Sequence, residues 1–141
     1  MPRRTSRSKS NADTVVLIVD DEPVVRNIVR RIIQAEGYSF LVAGNGQEAL
    51  TLSRAYPGDI HVLLTDFAMP KMNGSELAKK IIAERPDIRV LVISGHASDQ
   101  VRKANLGLPF LKKPFVPQIL REKLDQILAG PPAKTYRQTA R

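Results

Sequence analysis

Apolar and polar positions come in alternating blocks along the chain. Val15 to Val19 is an unbroken, mostly β-branched run with the length of a buried strand. Pro23 suits the first turn of a helix. Val25, Ile28, Val29, Ile32 and Ile33 follow at helical spacing, and Gly37 supplies a stop. Residues 38–43 predict a second strand, and residues 46–54 a short helix carrying Ala49, Leu50 and Leu52. A third strand is expected over 59–65, a helix over 75–84 and a fourth strand over 88–93. A short, weakly apolar helix over 97–104, a brief strand over 109–111 and a helix over 116–128 complete the pattern. Strand followed by helix, five times, implies a doubly wound α/β fold: a parallel sheet, helices on both faces and right-handed crossovers.

Four apolar runs end on a reactive polar residue. The first ends on Asp20-Asp21, the third on Asp66, the fourth on Ser94 and the fifth on Lys112-Lys113. In a parallel sheet those ends share one edge, and open α/β sheets bind ligands at that edge. Asp20, Asp21 and Asp66 would form a cluster of hard oxygen donors suited to Mg²⁺, with Mn²⁺ as a substitute. The plainer reading is that Asp21 and Glu22 favour the N-terminus of the helix opening at Pro23. Asp66 alone is equally open: an acid before a Pro-containing turn, or a nucleophile for phosphoryl transfer beside a metal. The Ser94 hydroxyl is able to donate to a phosphoryl oxygen, and the Lys113 ammonium to pair with one.

Composition narrows the partners. The net charge of +8 belongs to the ends: residues 1–12 carry four bases and residues 131–141 carry three, with no acid in either. Residues 13–130 hold 15 bases against 14 acids, a net charge of +1. The expected organisation is a basic tail over 1–12, a folded domain over 13–130 and a second basic tail over 131–141. Neither tail interleaves aromatics with base-facing positions, Tyr136 standing alone, so nucleic acid is expected at most as a weak partner of the tails. There is no cysteine, which excludes thiolate metal sites and disulfides. No apolar stretch has the length of a membrane span, and a cytoplasmic setting is expected.

The spacing is specific as a set. Asp66 lies 45 residues after Asp21, Ser94 28 residues after Asp66, and Lys113 19 residues after Ser94. The segments Leu17-Ile18-Val19-Asp20-Asp21-Glu22-Pro23, Leu64-Thr65-Asp66-Phe67-Ala68-Met69-Pro70-Lys71-Met72-Asn73-Gly74, Val92-Ile93-Ser94-Gly95-His96 and Phe110-Leu111-Lys112-Lys113-Pro114-Phe115 carry the resemblance. With them the chain resembles the receiver domain of two-component response regulators, either a single-domain chemotaxis-type regulator or a receiver of a hybrid histidine kinase.

The resemblance implies a flavodoxin-like sheet of five strands in order 2-1-3-4-5, flanked by five helices. It implies Asp66 as the phosphoacceptor, served by a histidine kinase or histidine phosphotransfer protein and signalling to a downstream protein. Asp21, Asp66 and the Ala68 carbonyl would ligate Mg²⁺, with Asp20 acting through a water. Lys113 would contact the phosphoryl group, and Ser94 and Phe110 would carry the switch. Ala68 and His96, each two positions after a site residue, would tune dephosphorylation. Such a protein is a signalling phosphoacceptor rather than an enzyme. Two other classes are a Mg²⁺-dependent phosphatase with an Asp nucleophile and a receiver-like module that binds without phosphorylation. The phosphatase would need an acid at the position of Ala68. The second would be expected to lack Asp66, the acidic pair or Lys113, and all are present.

Overall fold

The computed structural model describes residues 11–95 and 107–135. Five strands, β1 (Val15–Val19), β2 (Ser39–Ala43), β3 (Val62–Asp66), β4 (Arg89–Ser94) and β5 (Phe110–Lys112), form one sheet in the order β2-β1-β3-β4-β5. Every neighbouring pair is parallel. Four long helices are described: α1 (Pro23–Ala35), α2 (Gly46–Ala55), α3 (Gly74–Glu84) and α4 (Pro117–Ala129). The helix expected over 97–104 and His96 lie outside the described residues.

Alternating side chains of each strand feed two cores. Leu17, Val19, Leu63, Val90 and Val92 pack with α2 and α3, including Leu50, Leu77 and Ile81. Val16, Ile18, Val62, Leu64, Leu91 and Ile93 pack with α1 and α4, including Ile33, Leu120 and Leu124. Burial on both faces is why β1, β3 and β4 read as continuous apolar runs rather than alternating ones. Each fully buried leucine here contributes roughly 1.5–3 kcal/mol.

Local signals set the helix ends. Pro23 opens α1, and Gly37, at φ +88°, closes it while its N–H bonds the Gln34 carbonyl at 3.0 Å. Asn73 and Glu76 form a reciprocal capping box at the start of α3, at 2.9 and 3.0 Å. The third strand begins later than the pattern predicts. His61 replaces a ladder partner: its Nδ1 accepts the Val15 N–H at 3.0 Å, and its own N–H bonds the Val15 carbonyl at 2.9 Å.

Asn11 and Ala133 also pack against the body. Asn11 Nδ2 donates to the Glu36 carbonyl at 2.7 Å. Ala133 is buried, and its N–H bonds the Ile88 carbonyl at 2.8 Å. Arg89 fastens this end, with Nη2 donating to the Gly130 carbonyl at 2.9 Å and Nε to the Ile127 carbonyl at 3.1 Å. Pro131-Pro132 ends α4, yet the chain folds back on the sheet. Among the described residues, no helix is long and apolar enough to cross a membrane.

Candidate functional site

The sheet register brings the predicted residues together. Val19 pairs with Thr65, so Asp20, the next residue, comes level with Asp66 at the carboxyl end of β3. Asp66 pairs with Ile93, and Ser94 with Lys112. The Lys113 N–H bonds the Ser94 carbonyl at 2.8 Å, which seats the lysine at the same edge. The bond between Lys113 and Pro114 is cis. Asp20, Asp66 and Ser94 are buried, with 3%, 5% and 1% of their surface exposed.

Asp20, Asp21 and Asp66 each offer an oxygen within 4.8 Å of the others. The Lys113 ammonium donates to Asp66 Oδ1 at 2.9 Å, and lies 3.9 Å from Asp20 Oδ2 and 4.0 Å from Glu22 Oε1. Asp20 Oδ1 also accepts the Glu22 N–H at 2.9 Å.

Burial pushes the Asp20 carboxyl up to about 6; the Glu22 N–H opposes this and the Asp66 charge adds to it. Burial likewise raises Asp66, against the hydrogen bond and charge of Lys113 and with the repulsion of Asp21 and Glu22. Burial is the largest influence on Lys113 and works against its charge, but the bond to Asp66 and the charges of Asp66, Asp20 and Glu22 together outweigh it and hold the ammonium above its ordinary value. Three carboxylates so close carry more negative charge than one ammonium offsets. That deficit, made of hard oxygen donors, suits a small divalent cation, so the residues present fit Mg²⁺.

Gly74 allows the loop after Asp66 to close. A Cβ there would run into the Asp66 carbonyl oxygen and lie 3.0 Å from Phe67 Cα, while the Gly74 N–H bonds the Phe67 carbonyl at 2.8 Å. In the same loop Lys71 takes a left-handed φ of 69°. Ala68 lies exposed in it, and Phe110, half-buried, opens β5 opposite Val92. A cleft of about 850 Å³ opens beside Asp21, walled by residues 44–48 and 70–72.

A family model described as the response regulator receiver domain matches residues 16–125. The chain belongs to that family. The receiver is 35% identical over 119 residues to a chemotaxis protein CheY homolog of Campylobacter jejuni, covering 80% of this chain and 91% of that protein. It is 33% identical over 108 residues to the sensor kinase CckA of Brucella abortus, covering 74% of this chain but 11% of that much longer protein. Among solved structures it resembles the CheX-CheY-BeF3-Mg complex of Borrelia burgdorferi, with TM-score 0.74, 27% identity, and coverage of 81% and 88% of the two chains. The sheet order matches what the sequence resemblance implied.

Two features of the edge carry no signal of their own in the sequence. Glu22 reads there only as a helix-start acid, yet it faces Lys113. Arg26 stands off the apolar face of α1, yet its Nη1 donates to the Asp20 carbonyl at 2.9 Å.

Proposed function

We propose that this receiver accepts a phosphoryl group on Asp66 from a histidine kinase or a histidine phosphotransfer protein, with Mg²⁺ at the site, and signals to a partner through a shift in conformation. The observation that carries the reading is the Lys113–Asp66 bond of 2.9 Å inside a three-carboxylate cluster. Asp20, Asp21 and Asp66 would hold Mg²⁺, with the Ala68 carbonyl as a further donor. The cation would offset repulsion between the carboxylate and incoming phosphoryl oxygens.

The remaining roles belong to the chain. An Asp66 oxygen attacks phosphorus, the bond to the donor nitrogen breaks, and its electron pair leaves with the imidazole. Lys113 has three N–H donors, so it is able to keep its bond to Asp66 while donating to a phosphoryl oxygen. The Ser94 hydroxyl donates to another. Phe110 has no hydroxyl, so it answers by repacking alone. Ala68, two positions after Asp66, has no group to orient a hydrolytic water; His96, two positions after Ser94, lies outside the described residues, and its imidazole is proposed only from its place in the sequence.

Incubation with Mg²⁺ and acetyl phosphate, followed by intact mass measurement, tests the reading. A single phosphoryl adduct that is absent in Asp66→Ala is expected. An adduct that persists in Asp66→Ala sinks the assignment. Continuous turnover of phosphate esters would instead indicate a phosphatase.

A further inference from the structure

The Asp20-Asp21 turn is held from outside the acidic cluster. The Arg26 side chain reaches back from α1, and its Nη1 donates to the Asp20 carbonyl at 2.9 Å. That carbonyl belongs to the peptide joining the two acids. The same turn is tied to β2 by the Asp20 N–H, which bonds the Ala43 carbonyl at 3.2 Å. The next residue, Gly44, lies under the guanidinium. A Cβ on Gly44 would stand 3.2 Å from Arg26 Nη1 and 3.3 Å from Glu48 Oε1. The Gly44 N–H is itself bonded by the Glu48 carboxylate. Arg26 and Glu48 therefore both lie against Gly44, joining the β1–α1 turn to the β2–α2 loop.

We propose that Arg26 is a positioning residue for the divalent cation site: by holding the Asp20–Asp21 peptide against the Gly44 loop, it fixes where the two carboxylates point. The inference rests on the cation reading given above. Charge and position pull in opposite directions here, which makes the role measurable. A positive group beside a cation site weakens cation binding by repulsion, so deleting it should tighten binding if charge were all that mattered. If Arg26 orients the ligands, deleting it loosens binding, as loss of groups that orient metal ligands does.

Mn²⁺ affinity, read from the electron paramagnetic resonance signal of free Mn²⁺, decides between them. The full chain and the variants Arg26→Gln, Arg26→Lys and Gly44→Ala are compared, with thermal midpoints as a check on folding. Arg26→Gln is expected to lose roughly 10-fold or more in affinity, and Arg26→Lys to recover part of it. Gly44→Ala leaves the net charge unchanged but presses a Cβ on the guanidinium, which must give by a few tenths of an ångström, and it should weaken Mn²⁺ in the same direction by a smaller factor. An Arg26→Gln protein that binds Mn²⁺ as tightly as the unaltered chain, or more tightly, overturns the positioning role. An unaltered chain that binds no Mn²⁺ overturns the cation reading, and the positioning role with it.

Discussion

The fold disfavours the charge of Asp20. Its carboxyl is raised from 3.8 to about 6, mainly by burial and further by Asp66. An acid raised on folding holds its proton more tightly in the folded chain. Folding then takes up a proton between pH 3.8 and about 6, and stability falls as pH rises through that window. A shift of about two units at ~1.4 kcal/mol each amounts to ~3 kcal/mol of lost stability at pH 7.5, and roughly half of that at pH 5. Asp20→Asn keeps an oxygen for the Glu22 N–H and removes the charge. In EDTA, urea unfolding should find the variant more stable than the unaltered chain at pH 7.5, by up to ~3 kcal/mol, with the gap narrowing toward pH 5. Mg²⁺ at about 100 times its Kd should then add ~2.7 kcal/mol to the unaltered chain and less to the variant. A variant less stable at pH 7.5, or a gap that ignores pH, would show that burial does not strain this carboxylate.

Three further outcomes follow from neighbouring contacts. Lys113→Met strands buried Asp66 among other acids, so in EDTA it should lose roughly 3 kcal/mol of stability in urea at pH 7.5, and much of the loss should return as Asp66 is protonated at lower pH. No loss would mean the 2.9 Å pair contributes nothing net. Gly74→Ala forces a Cβ into the Asp66 backbone and should cost about 1–3 kcal/mol by overpacking, together with slower adduct formation by mass; normal rate and stability would refute the close approach. Arg89→Ala removes the donors to the Ile127 and Gly130 carbonyls. About 2 kcal/mol should be lost, with faster hydrogen exchange at the Ala133 amide; unchanged exchange there would refute the latch.

Legibility in the sequence followed the kind of force involved. β1 was readable to the residue because burial on both faces demands an unbroken apolar run, and Val15–Val19 is one. The convergence of Asp20, Asp66, Ser94 and Lys113 was readable because each stands where such a run stops, and parallel pairing carries such ends to one edge. What escaped depends on a side chain substituting for backbone, or on backbone reaching backbone. The start of β3 was misplaced because the His61 ring takes the bond a strand residue would make. The packing of Ala133 left no signal because it anchors through one buried methyl and one N–H, which have no periodicity. Arg26 escaped because its bond goes to a carbonyl six residues back, and a carbonyl is the same at every position.

The geometry also separates what holds a phosphoryl group from what signals it. Lys113 already donates to Asp66 before any phosphorylation. A contact made equally in two conformations shifts no equilibrium between them, however strong it is. Lys113 should therefore govern how readily Asp66 is phosphorylated and contribute little to the switch. Taking a 1:99 population to 99:1 needs ~5.5 kcal/mol of difference between states. On the proposed function, that difference must come from groups whose surroundings change. One is Ser94, which sits buried at the end of β4; the other is Phe110, half-buried at the start of β5 and able to trade solvent for packing. Phosphorylation adds charge and acceptor oxygens to an edge already overloaded with carboxylates. On the proposed function Lys113 meets one phosphoryl oxygen and leaves the others to further donors, so drawing the Ser94 hydroxyl toward the group becomes favourable only after Asp66 is modified. Lys113→Met should thus lower the extent of phosphorylation while leaving whatever protein is phosphorylated to switch as before, and Ser94→Ala should do the reverse.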